Sequence, residues 1–142
     1  MALIQSFIYF EDYLDFYRQR VCSTLSEIDI FIKSSEDEMD VFDVAECLNI
    51  SVDEVHRIMD LKNMEIINKS SFFEIMEEGS SYICGLYKRE KECGSPFFYT
   101  KEQVAYIYEL NVETISEICS DLGIDKITQS ALSLVFSKIA LC

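Results

Sequence analysis

The chain is predicted to be all-α: a long N-terminal amphipathic helix followed by two helix-turn-helix units in tandem. Three observations predict this. Apolar residues recur at helical spacing, no hairpin signal or alternating strand pattern interrupts them, and the stretch from Val44 to Ser70 recurs from Val104 to Ser130. Superposing the two stretches pairs Val44 with Val104, Ala45 with Ala105, Ile50 with Leu110, Val55 with Ile115, Ile58 with Ile118 and Ile67 with Ile127. These are apolar positions broken at one shared place by a polar cap. The expected divisions are residues 1–35 for the N-terminal helix, 40–93 for the first unit with its following helices, and 97–142 for the second.

A hydrophobic fraction of 49% over 142 residues is enough to build a sizeable interior. The net charge of -14, from 26 acidic and 12 basic side chains, makes the average surface repel nucleic acid and anionic lipid. A DNA reader would therefore need a local basic patch. No basic segment precedes an apolar run at the N-terminus, and no stretch nears the roughly 20 apolar residues of a membrane helix. No membrane association is expected, and the expected location is cytoplasmic. Six cysteines (Cys22, Cys47, Cys84, Cys93, Cys119, Cys142) without a Cys-x-x-Cys pair, and a single histidine, indicate reduced thiols rather than a metal site. No cofactor is expected.

Each element follows from a local pattern. Phe7, Leu14, Val21 and Ile28 share one heptad position and Phe10, Tyr17 and Phe31 another, with Thr24 the exception, which predicts a helix from Phe7 to Phe31. Such a stripe serves equally for packing onto its own chain, the favoured reading, and for dimerisation. Phe7, Phe10, Leu14, Tyr17, Val21 and Ile28 are the candidate dimer face. Ser34, Ser35, Glu36-Asp37-Glu38 and Asp40 then form an acidic linker, which lacks the alternation and central glycine of a calcium loop. Asp40 is positioned to cap the next helix, where the macrodipole favours negative charge.

In the first unit Val41 to Leu48 forms a helix, Asn49 and Ile50 a turn, and Ser51 with Glu54 a capping box opening Val52 to Leu61. Met64 to Ile67 is compatible with a strand, a wing or a third helix. Ser71 with Glu74 makes a second capping box, predicting a helix from Phe72 to Glu78 that Gly79 stops. A helix from Tyr82 to Cys93 follows, in which Gly85 costs about 1 kcal/mol relative to alanine and reads as a point of close helix packing. Gly94-Ser95-Pro96 is the clearest break. Beyond it, Thr100 with Gln103 opens a helix through Tyr108, Asn111 caps Val112 to Leu122, Gly123 ends that helix, and the last one spans Gln129 to Ile139.

The run from Asp43 to Val55, and the run Gln103-Val104-Ala105 through Leu110 to Ile115, resemble the helix-turn-helix of the MerR and excisionase-like bacterial DNA-binding families. The resemblance implies that the alanine lets two helices approach closely. It also implies that Val52 to Leu61 and Val112 to Leu122 are recognition helices. Where those families place a turn glycine this chain has Asn49 and Glu109, and glutamate is poorly suited to positive φ.

Charge separates the two candidate helices. Val112 to Leu122 holds no Lys or Arg and aligns Glu113, Glu117 and Asp121 along one face, the reverse of what a groove reader needs. The first unit offers His56, Arg57, Lys62, Asn63 and Lys69, diluted by Asp53, Glu54 and Asp60, with Lys88, Arg89, Lys91 and Lys101 as a second basic concentration. All but Lys101 are taken as candidate nucleic-acid or partner contacts. One histidine, no nucleophile motif and no glycine-rich phosphate loop argue against an enzyme. The favoured expectation is a non-enzymatic bacterial regulatory protein, its tandem units a scaffold for a basic or transcription-related protein partner. The alternative is a DNA-binding transcriptional regulator acting through the first unit as a homodimer.

Overall fold

Polar side chains cap most of the described helices at their starts, and the elements fall into two compact units. The computed structural model describes residues 10–94 and 96–141. Among these, Thr24–Glu92 forms a central unit, and residues 10–23 together with 93–94 and 96–141 form a split unit. The described part of segment 1–35 therefore contributes to both. All regular structure among the described residues is helical, with only isolated bridges between extended positions, and none of those helices is long and apolar enough to cross a membrane.

Asp12 decides where the first helix begins. Its side chain accepts the Asp15 N–H at 2.9 Å, so α1, the first helix among the described residues, runs Tyr13–Phe16, and residues 10–12 ahead of it are not helical. Phe10 is buried ahead of that cap, and Phe7 lies outside the described residues. A π-helical stretch, Tyr17–Cys22, follows, and then α2, Ser23–Ser34.

In the central unit Asp40, in an extended conformation, accepts from the N–H groups of Phe42 and Asp43 and starts α3, Val41–Leu48. Asn49, at φ 56°, stops it, and the next N–H, of Ile50, closes back onto the Ala45 carbonyl at 3.0 Å. Asparagine tolerates this left-handed conformation better than most side chains. Ser51 then caps α4, Val52–Leu61. The two helices bury Val44, Ala45 and Leu48 against Val55, Ile58 and Met59.

Met64 to Ile67 is neither helix nor wing. It is irregular chain that ends in one antiparallel bridge, the Met39 N–H donating to the Ile67 carbonyl at 2.7 Å. Next comes α5, Lys69–Glu78, three residues longer at its start than the Ser71 capping box predicts. Asn68 is the actual cap, its side-chain oxygen accepting from the Ser71 N–H at 2.8 Å and the Ser71 hydroxyl at 3.0 Å. Phe72, Ile75 and Met76 face inward from α5, and ring contacts Phe31–Phe72, Phe72–Phe73 and Phe73–Tyr87 carry the packing to α2 and to α6, Tyr82–Glu92.

The split unit repeats this order of elements. Thr100 and Gln103 make a reciprocated capping box, at 3.1 and 2.9 Å, that opens α7, Lys101–Tyr108. Glu109 adopts φ 55°, Asn111 caps α8, Val112–Leu122, and Gly123 ends it in the left-handed region. Tyr99 and Ile127 pair as Met39 and Ile67 do, here with bonds in both directions at 2.8 and 3.2 Å, and Thr128 caps α9, Gln129–Ser137. That helix stops short of Ile139, whose carbonyl instead accepts the Tyr13 N–H at 2.9 Å. Tyr13, Tyr17 and Tyr108 pack round Phe136 with centroid separations of 4.8, 5.0 and 4.9 Å. Tilted and edge-to-face pairs of this kind add about 0.5–1.5 kcal/mol each beyond their burial.

Two glycines have definite reasons. At Gly79 a Cβ would fall 2.5 Å from the Cys84 sulfur, so glycine there is a matter of space, and its φ of -67° is ordinary. At Gly85 a Cβ would meet the Arg89 guanidinium of its own helix at 2.9 Å; the close approach is within α6, not to a neighbouring helix. Gly79→Ala should lower stability by about 1–3 kcal/mol through overpacking, and the loss should shrink in a Cys84→Ala background. Denaturant melts of the four proteins in that cycle would show it, and additive losses would contradict it. Glu109 carries the left-handed penalty of about 1–2 kcal/mol. Glu109→Gly is expected to raise the unfolding free energy by about 1 kcal/mol, whereas the same change at an exposed helical site would lower it.

Candidate functional site

The candidate contacts of the first unit all fall in the central unit, and the structure sorts them by what stands beside them. On α4, Val55, Ile58 and Met59 turn inward, leaving His56 and Arg57 exposed. Helical spacing sets Asp53 and Asp60 on either side of Arg57, one turn away in each direction, and both are exposed. Lys62, just past the end of α4, lies 3.6 Å from Glu78, and Lys91 on α6 lies 2.7 Å from Glu77. That hydrogen bond to Lys91 holds the Glu77 carboxyl below the usual carboxylate range. Two of the cations thus face carboxylates at the end of α5. Asn63 shapes a turn at φ 55°, Lys69 is the exposed first residue of α5, Lys88 is exposed, and Arg89 is half-buried beside Gly85.

Glu54 does not close the capping box expected at Ser51. Ser51 does accept the Glu54 N–H at 3.0 Å, but the Glu54 carboxylate reaches instead to Ser80, taking its N–H and its hydroxyl at 2.7 Å each. The start of α4 is thereby fastened to the segment between α5 and α6. The solvent face of α4 is a rigid presentation of alternating charge.

On α8 the inward residues are Ile115 and Cys119, and Glu113, Glu117 and Asp121 are all exposed. With no cation on that helix, the face is uniformly negative. A phosphate backbone would meet like charge along its whole length.

The candidate dimer face is differently placed. Phe10, Val21 and Ile28 are 4, 1 and 4% exposed, and Leu14 and Tyr17 are half-buried, Tyr17 against Tyr108 and Phe136. Packing within the chain uses these side chains, so in this conformation they offer a second copy little surface.

One feature has no counterpart among the predicted contacts. In the central unit α2, the linker and α3 enclose an open groove with a cavity volume of about 680 Å³. Among its lining residues Phe31, Met39 and Cys47 are buried or half-buried and form the floor, and the exposed Glu27, Glu36, Glu38, Asp43 and Glu46 stand at its rim. The acidic linker read as solvated chain is one wall of this groove; the only sequence signal was its position between two apolar helices. Among the described residues no group of three or more His, Cys, Asp or Glu side chains comes together as a metal site.

Burial, reinforced by the neighbouring carboxylate of Glu27, pushes the Cys47 thiol up to about 11. A raised thiol pKa leaves little thiolate near neutrality, and thiolate is the reactive form. Alkylation of Cys47 by iodoacetamide, followed by mass spectrometry, should therefore be slow at pH 8 and quicken about tenfold per pH unit up to pH 10. Glu27→Gln should speed it at fixed pH, and a rate that levels off by pH 9 would contradict the assignment. In comparison with known proteins, no family model matches the chain, and no curated protein or solved structure matches it either.

Proposed function

We propose that the protein is a non-enzymatic bacterial regulatory scaffold, acting in the cytoplasm, whose two helix-turn-helix units serve a basic, transcription-associated protein partner, the second unit presenting an acidic helix face. The observation that carries the reading is the solvent face of α8. Glu113, Glu117 and Asp121 stand exposed on a helix without a single cation, at the position that the resemblance to MerR and excisionase-like proteins gives to a recognition helix. Negative faces steer basic partners and repel polyanions.

A second reading keeps DNA as the ligand of the first unit alone, and His56 and Arg57, exposed on α4, favour it. Against it stand Asp53 and Asp60 on the same face and the carboxylate partners of Lys62 and Lys91. A complex that neutralises several phosphates needs several available cations. Dimerisation would double the supply, but the heptad side chains expected to drive it are occupied in the chain.

Fluorescence anisotropy with a labelled 30-base-pair duplex at low salt separates the two. The scaffold reading expects no saturable binding up to protein concentrations of about 10 μM, the tight end of non-specific affinities. Saturable binding that weakens steeply as salt rises, and is lost in Arg57→Glu, would establish the DNA reading instead.

A further inference from the structure

We propose that the groove between α2 and α3 of the central unit is the docking site for a basic amphipathic peptide segment of the partner protein. The inference rests on the scaffold reading and gives it a place and a chemistry. A cavity of about 680 Å³ is in the range that holds a ligand of several side chains rather than a lone ion. Its floor is apolar, made by Phe31 of α2, Met39 of the linker and Cys47 of α3. Five carboxylates stand round it, from Glu27, Glu36, Glu38, Asp43 and Glu46, and no Lys, Arg or His is among its lining residues. The carboxylate of Asp40 is already engaged in capping α3 and adds little.

The floor and the rim ask for different things from one occupant. An apolar floor favours an aliphatic or aromatic side chain, and a ring of carboxylates favours Arg or Lys beside it. A polyamine or a bare cation would leave the floor unfilled, and an apolar peptide would bury carboxylates without partners. Apolar surface continues beyond the groove: Ile30 on α2 and Phe42 on α3 are 65 and 68% exposed. Ile30 lies one turn from both Glu27 and Ser34, and Phe42 one turn from Glu46, all three of which line the groove. A segment with Leu and Arg at helical spacing would place its aliphatic side chains on the floor and toward Ile30 and Phe42, and its guanidinium groups against the rim, which is the helix-in-groove mode of recognition.

The test titrates the full chain into a fluorescein-labelled 16-residue Leu/Arg amphipathic peptide, read by anisotropy, beside an oligo-arginine of equal charge. Saturable binding of the Leu/Arg peptide, about tenfold tighter than the oligo-arginine, is expected. Glu27→Lys/Glu46→Lys should weaken it about tenfold, and Glu65→Lys/Asp125→Lys, which changes net charge equally at exposed positions outside both the groove lining and the α8 face, less than about twofold. Equal weakening by the two double variants, equal affinity for oligo-arginine, or no binding at all would overturn the proposal. Circular dichroism melts would establish that the variants fold, with Glu27→Gln/Glu46→Gln substituting for a lysine pair that does not. Failure here with duplex DNA still unbound removes the groove and leaves the scaffold reading standing; DNA binding through Arg57 removes the scaffold reading whatever the peptide does.

Discussion

A short backbone bridge in each unit holds the rest in place. The Met39 N–H donates to the Ile67 carbonyl at 2.7 Å, and the Tyr99 N–H to the Ile127 carbonyl at 2.8 Å. All four residues are buried, so these peptide groups have no water to turn to, and leaving one unmade would cost the desolvation of a buried polar group. The bond ties the residue before a helix pair to the residue before the third helix. Everything between is constrained by that closure: a helix, a left-handed turn, a capped helix and an irregular return. Because Val55, Ile58 and Met59, or Ile115 and Cys119, must face the interior thus enclosed, the opposite side of the middle helix is obliged to face solvent.

That obligation is what makes charge informative. On a helix free to rotate, Glu113, Glu117 and Asp121 would describe composition; on α8 they describe a surface. The same reasoning weakens the basic residues of the central unit. Lys62 and Lys91 are held beside Glu78 and Glu77, so two of the cations that make the first unit hospitable to phosphate in sequence already have anionic neighbours. Exposed ion pairs of this kind contribute little to stability. Their importance is electrostatic: they remove positive field from the surface where a polyanion would have to land.

Local chemistry was legible in the sequence, and long-range chemistry was not. The bounds Val41–Leu48, Val52–Leu61 and Val112–Leu122 match the observed helices because each is fixed by a cap within three residues of its start and a turn residue at its end. The Thr100–Gln103 box is local too, and it forms. Where a second cap was available, nearness misled: Asn68 displaced Ser71 and moved the start of α5 back to Lys69, and Asp12 starts α1 at Tyr13, within the heptad stretch. Glu54 obeyed a partner 26 residues away, which no window of local spacing reveals. Glu109 takes a left-handed turn that its own preference opposes, between the buried Tyr108 that ends α7 and the Asn111 that caps α8. As for candidate contacts, sequence identified which side chains are basic but not which carboxylates stand beside them. The groove was invisible because it belongs to no single element.

The groove also explains why an acidic chain would tolerate such a concentration of like charge. Glu27, Glu36, Glu38, Asp43 and Glu46 repel one another across an open cavity, and no cation among its lining residues relieves them. Of the charges there, Asp40 alone has an evident structural task, at the helix N-terminus. On the proposed reading, a cationic segment entering the groove would meet the others with opposite charge. Apolar exposure at Ile30 and Phe42 works the same way: each leaves hydrophobic surface in water that a partner could cover. Concentrated negative charge and unburied apolar surface are two features of the unbound state, carried by the same two helices. One basic amphipathic segment would relieve both, and the strength of the proposed interaction would come as much from what the free protein lacks as from the contacts that the complex makes.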